Sequence, residues 1–261
     1  MVSIFVLLGV SIFFYSCSDN PTSPTGTGIL QVSMTDAPAA YNAVYVWIDS
    51  VQAHIANGNT VQGWYTLNNK PHRYDLTTLV NGATTIIGTD TLPAGRYSQI
   101  RLYLGPNDTI VVDGQPQPLT VPSEVQTGIK LNVDANLQAG TLYNITLDFD
   151  AGKSIVVSGT LNNYQYTLKP VIRSGANATT AIISGKVFPY SFTSSVEAIS
   201  DIDTASTFTD DMGGFKLIYL TPGTYNVYIY PDNTSYKVDT LKNIQVNQGE
   251  TKDLGTVDLT Q

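Results

Sequence analysis

The side chains able to do chemistry in this chain are few and far apart. There are two histidines, His54 and His72, and one cysteine, Cys17. Histidine catalysis needs a nucleophile or carboxylate held beside the ring, and a zinc site needs several ligands at short spacing. His54 lies in the alternating segment Ser50 to Ile55, opposite Val51, Ala53 and Ile55, which makes it an outward strand residue. His72 stands between Pro71 and Arg73 and reads as a loop residue. Gly152-Lys153-Ser154 ends like a phosphate-binding loop, but Leu147 stands where the first glycine belongs and no helix is expected to follow. Asp148 and Asp150 could be drawn as a glycosidase carboxylate pair, yet alternate strand residues share a side and are usually solvated or turn-capping. Asp210 and Asp211, ahead of Gly213-Gly214, offer too few oxygens at regular spacing for calcium and read as turn formers. The expectation is no catalytic residue, no metal and no cofactor.

Aromatic pairs are the other chemistry on offer. In Tyr225 to Tyr230 the core face should carry Tyr225, Val227 and Ile229, which turns Tyr228 and Tyr230 outward together. Tyr45 and Trp47 repeat the arrangement against Val44, Val46 and Ile48. Flat aromatics on a sheet are what sugar rings or protein partners stack against. The alternative is that these four residues cover a domain interface or a helical turn.

The elements that must position these residues are strands. The chain has 261 residues, a length that suggests two domains. Charged residues are only 13%, Tyr alone numbers 16, Gly and Pro number 21 and 13, and glutamate occurs only at Glu124, Glu197 and Glu250. That is the composition of short strands joined by turns. The net charge of −8 and scattered Lys and Arg exclude a nucleic-acid partner. Asp113-Gly114 joins Thr109–Val112 to Leu119–Val121 as a hairpin, and Asn162-Asn163 joins Ser154–Val157 to Tyr166–Leu168. Asp75 to Val80 is the one stretch that suits a helical turn. Ser174 to Thr180 reads as a polar linker. The fold class read from this is all-β: two tandem β-sandwich domains, residues 28–174 and 181–261.

Met1 to Tyr15 is an apolar run too short to span a bilayer comfortably, and Ser16-Cys17 follows at once. This resembles a bacterial lipoprotein signal peptide, residues 1–17, which implies that Cys17 carries the lipid and anchors the mature chain to a membrane. No Lys or Arg precedes the apolar run, and Phe14-Tyr15-Ser16 is bulkier than the usual approach to the cysteine. Ser18-Asp19-Asn20 resembles the surface-export signal of Bacteroidetes lipoproteins, and residues 18–27 read as a flexible tether. The location implied is the cell envelope: an outer-membrane lipoprotein displayed at the surface.

Five ordered segments carry a further resemblance: VSMTDAP from Val32, YDLTTLVNG from Tyr74, LPAGRYSQIRL from Leu92, LDFDAGKSIV from Leu147 and YTLKPVIR from Tyr166. Together they resemble the domain-of-unknown-function (DUF) 4382 family, which implies a secreted all-β domain and imports no activity. The second segment is similar to the carboxypeptidase regulatory-like, transthyretin-type sandwich. That likeness rests on Ile183-Ser184-Gly185-Lys186-Val187, Leu220–Val227 and the closing Asp253–Leu259. The type is grouped with starch-binding-like modules, an analogy of fold only. Two functions follow. One is a non-catalytic surface binding module, for carbohydrate, using the aromatic pairs. The other is a structural, assembly or adhesion protein that docks to another envelope protein.

Overall fold

The computed structural model describes residues 26–37, 39–56, 63–160, 163–176 and 180–261. Cys17 and the rest of the leader lie outside the described residues. The first half contributes β1 (Thr27–Ala37), β2 (Ala43–Ile55), β3 (Trp64–Asn68), β4 (His72–Asp75), β5 (Thr85–Pro93), β6 (Gly95–Leu104), β7 (Thr109–Val112), β8 (Gln115–Thr120), β9 (Ile129–Leu137), β10 (Leu142–Asp150), β11 (Ile155–Thr160), β12 (Asn163–Leu168) and β13 (Ile172–Ala176). A 3-10 turn at Leu76–Thr78 and single helical turns α1 (Ser123–Gln126) and α2 (Ala151–Ser154) interrupt them. The second half contributes β14 (Ala181–Phe188), β15 (Ser194–Ile199), β16 (Thr204–Phe208), β17 (Gly214–Leu220), β18 (Gly223–Pro231), β19 (Asp239–Val246) and β20 (Thr251–Asp258).

The chain is all-β, as the composition predicts. Strands β13-β10-β1-β5 form one sheet of the first half; β11-β12-β8-β7-β2-β6-β9, with β3 and β4 also paired to β2, form the other. The second half pairs β17-β14-β20 and β16-β15-β18-β19. No described strand pairs across the two halves, and each half has its own buried cluster, one around Val46, Leu102 and Phe149, the other around Val196, Phe215 and Val227.

Local chemistry explains the main corners. Asp113 and Gly114 both hold positive φ between Val112 and Gln115, the two-residue turn whose twist suits a hairpin. Asp75 caps the 3-10 turn by accepting from the Thr77 amide. Each half also repeats one device. Leu92 to Tyr97 and Leu220 to Tyr225 share the spacing Leu-x-x-Gly-x-Tyr. Both tyrosines are buried, and each hydroxyl donates to the carbonyl four residues back, Tyr97 to Pro93 at 2.9 Å and Tyr225 to Thr221 at 2.7 Å. This is the tyrosine-corner logic of β-sandwiches: a large apolar ring fills the core while its polar end closes a turn.

One boundary differs from the sequence reading. Ser174 to Ala176 is not linker but the end of β13, paired to Leu147, Thr146 and Ile145 of β10. The segment is polar because one side of this sheet faces the second sandwich rather than the core.

Candidate functional site

Four of the five family-like segments converge on the end of the first sandwich that meets the second. Thr35, at the end of β1, donates to the carbonyls of Leu79 and Ala83, both at 2.8 Å. The Asp36 amide also reaches Leu79 O at 2.9 Å, and Asp36 Oδ1 accepts from the Ala151 amide opening α2 at 2.9 Å. These bonds tie the Asp75–Ala83 loop and α2 to β1. Asn81, at the tip of that loop with φ 55°, then crosses to the second sandwich. Its amide donates to Thr207 Oγ1 at 3.2 Å and its Nδ2 to Gly214 O at 3.3 Å.

Beside this crossing lies an ion triad in which Asp148 is buried and Arg173 and Asp203 are half-buried. Arg173 on β13 donates to Asp148 Oδ2 through Nε, at 3.1 Å, and again through Nη2. Its Nη1 donates to Asp203 Oδ1, on the second sandwich, at 2.5 Å. Asp203 Oδ2 accepts from the Thr221 amide at 2.8 Å and lies 3.0 Å from the Tyr225 hydroxyl. The corner tyrosine of the second half thus touches the ion bridge to the first. Asp203 is pulled below the usual carboxylate range: burial raises it, but the Thr221 amide, Arg173 and the Tyr225 hydroxyl outweigh that. Burial pushes Asp148 up, and the Arg173 guanidinium opposes it.

Asp148 is therefore not the solvated strand carboxylate expected from alternation. Ile145 to Phe149 is buried without interruption, as is Val32 to Ala37 beside it. These two parallel neighbours are covered on both faces, where period-two reasoning allows only one. Asp150 does cap a turn, accepting from the Lys153 amide at 2.9 Å, so Gly152-Lys153-Ser154 is a single helical turn that leads straight into β11.

Tyr219 locks the same junction. It sits at φ 58° within β17, a backbone state unusual for an aromatic residue. Its side chain lies against Gly175 of β13, where an added Cβ would come within 3.4 Å of the Tyr219 Cβ and ring. Two openings flank the contact. A small cavity of about 10 Å³, the room one water takes, is lined by Asp36, Asn81, Asp148 and Arg173. A wider cleft of about 500 Å³ has Asn132, Val133, Tyr143, Ile145, Ser174 and Pro222 among its lining residues.

The predicted aromatic pairs lie elsewhere. Tyr225, Val227 and Ile229 are buried, while Tyr228 is half-buried and Tyr230 exposed on the opposite face of β18. The two rings run nearly parallel, 18° apart with centroids at 6.3 Å. Their cross-strand neighbours are Glu197 and Ser195 on β15, and the bonds between the halves named above run through other residues. Replacing both tyrosines by Ala should therefore cost on the order of 1 kcal/mol or less, read as a melting shift of a few degrees. A loss of several kcal/mol would mean that the face is covered.

Tyr45 and Trp47 are half-buried on β2, and the Arg73 guanidinium lies 4.5 Å over the Tyr45 ring. Tyr45 of that pair is thus already partnered within the chain. The same sheet face carries an aromatic group that sequence reading missed. Arg101 lies 3.9 Å over Trp64 and donates to the Tyr103 hydroxyl at 3.0 Å, and His54 packs against Trp64 with centroids 4.8 Å apart. His72 likewise packs on Tyr74, at 4.8 Å. Asp210 closes its turn by accepting from the Met212 and Gly214 amides, as expected of a turn former. Among the described residues no group of three or more His, Cys, Asp or Glu is placed to hold a metal ion.

Fold and junction together define a tandem β-sandwich protein with an ion-bridged joint. The chain belongs to the family described as Domain of unknown function (DUF4382), whose model matches residues 27–170, the first sandwich up to Pro170. No curated protein matches the chain. Among solved structures it is similar to the Bacillus anthracis TIE protein, with 9% identity over 90% of this chain and 34% of that one and a TM-score of 0.22. The chain thus spans about a third of that relative. It is similar to the major pilin subunit of Bacillus cereus, with 10% identity over 90% and 99% of the two chains and a TM-score of 0.22. A fimbrial protein from Bacteroides ovatus matches at 9% identity over 89% and 50%, with a TM-score of 0.24.

Proposed function

We propose that this chain is a non-catalytic envelope lipoprotein that serves as a rigid structural module docking another envelope component. The observation that carries the reading is the Asp148–Arg173–Asp203 bridge, reinforced by Tyr219 and Asn81. A polar, unbonded junction would let two sandwiches swing; an ion-bridged one fixes their relative angle. The side chains that could do chemistry are held by structural partners: His54 and His72 pack on rings, and Asp148 is committed to Arg173. The second sandwich is read as the carboxypeptidase regulatory-like type from its sequence hallmarks.

Membrane attachment rests on Cys17. A Cys17→Ser chain should lose both membrane partitioning and metabolic labelling with palmitate; retention in the membrane fraction would end the lipoprotein reading. A second reading, carbohydrate binding, is favoured by the stacked exposed pair Tyr228 and Tyr230. Glycan-array signal that disappears on replacing both would support it. Silent arrays, together with a saturable envelope protein partner, support the docking reading.

A further inference from the structure

The hairpin of β11 and β12 is unlike any other edge of the fold. It continues the large sheet of the first sandwich past the end of the core. Ile155, Tyr166 and Leu168 are buried at its base, but every residue from Val156 to Tyr164 that the structure describes is exposed. Val157 is 46% and Tyr164 50% exposed, and both lie on the same face as the buried Tyr166, so the core face runs on into solvent. Val156 is 40% exposed on the other face. Among the described residues no strand pairs with the outer side of β11, which leaves alternate backbone N–H and C=O groups of that strand pointing away from β12.

An open edge of this kind is normally blunted by charge, proline or a covering element. Other edges here follow that rule. Strand β9 carries Lys130 and Asp134, β5 carries Asp90 and Pro93, β19 carries Asp239 and Lys242, and β20 carries Lys252, Asp253 and Asp258. The uncharged short strands β3 and β16 lie against β5 and β17 instead. Strand β11, Ile-Val-Val-Ser-Gly-Thr, has none of these protections, and its partner β12 is equally uncharged.

We propose that β11 is a homotypic pairing edge, joining to β11 of a second copy antiparallel about a two-fold axis. The occupant follows from charge and from symmetry. Each copy carries −8, so two bodies repel, yet the projecting hairpin is neutral and lets edges meet with no charge placed opposite charge. An antiparallel strand pair is self-complementary: centring on Val157 places Val157 opposite Val157 and Val156 opposite Ser158, β-branched or small residues throughout. The faces that carry Val157 and Tyr164 in the two copies then lie side by side on one joined sheet, with the two Val157 side chains adjacent across the axis. A strand of 6 residues a side is a small contact, so a dissociation constant of roughly 10–100 μM is expected rather than an obligate dimer. The inference stands apart from the docking reading, since a monomer could still dock a partner and a self-pairing chain need not.

Sedimentation of the chain from residue 18 onward, which keeps every described residue, tests it across two decades of concentration about that value. The native chain should move from monomer to dimer, with hydrogen exchange at Val156 to Thr160 slowing as it does. Val157→Lys should remain monomeric with an unchanged melt. Should that variant fail to fold, Val156→Lys on the opposite face gives the same test. A native chain that stays monomeric throughout, or a folded lysine variant that dimerises equally, would overturn the proposal.

Discussion

Replacing Arg173 by Met should lower the stability of this protein by about 3–5 kcal/mol, because it leaves Asp148 buried without a counter-charge. In a chain of this size that is a melting shift on the order of 10 °C. The loss should not be uniform. Asp203 keeps the Thr221 amide and the Tyr225 hydroxyl, so the second sandwich is spared the orphaned charge. Among the described residues Asp148 has no second counter-charge within salt-bridge distance, and it sits on a central strand of the first sandwich. The single cooperative transition expected of a clamped pair should then separate into two, the first sandwich melting earlier. The double variant Arg173→Met with Asp148→Asn should recover much of the loss, since removing both charges is far cheaper than removing one. Calorimetry of the three proteins decides the point. A single variant that melts within about two degrees of the native chain would show that the bridge is not what joins the halves.

The strand faces of both sandwiches and the Asp113-Gly114 hairpin were legible because they obey local rules. Val44, Val46 and Ile48 alternate, Asp113-Gly114 demands one turn type, and Tyr225, Val227 and Ile229 select the buried face of β18. The junction was not legible, for a physical reason. Ser33, Thr35, Thr146 and Asp148 are polar residues on the non-core face of a sheet, and period-two reading assigns such residues to solvent. Only contact with a second body buries them, and local periodicity carries no record of that contact. The clue available was compositional: Asp36, Asp148 and Arg173 are charged residues set within otherwise apolar or small stretches, a local conflict that marks a special site. Arg101 was hidden differently. It follows the strand pattern without exception, and its stacking on Trp64 joins strands far apart in sequence.

The second large effect is a fall in stability with rising pH that Asp36→Asn should remove. Burial, reinforced by Asp148, Asp150 and Asp75, pushes Asp36 up to about 9, although its bond from Ala151 pulls the other way. With that value the Asp36 carboxyl is protonated in the folded chain at neutral pH. In the unfolded chain the same group ionises near 3.8. Between these two values the folded state binds more protons than the unfolded one, so stability decreases as pH rises, by as much as ~1.4 kcal/mol per unit. Asp108, raised by burial to about 7, contributes in the same direction only up to that pH. The interval from pH 7 to 9 is thus where Asp36 can be seen apart from it. Asn at position 36 still offers an oxygen to the Ala151 amide, but its NH₂ brings two donors where the acid has one, at a buried position with no partner, so folding at pH 5 should weaken by about 1–3 kcal/mol. At pH 9 the variant should be more stable than the native chain by a few kcal/mol, with a shallower dependence above pH 7, the remainder of which Asp148, also raised by burial, carries in the same direction. Urea midpoints measured at pH 5, 7 and 9 distinguish the cases, and parallel curves for the two proteins would mean that Asp36 ionises in the folded state without cost.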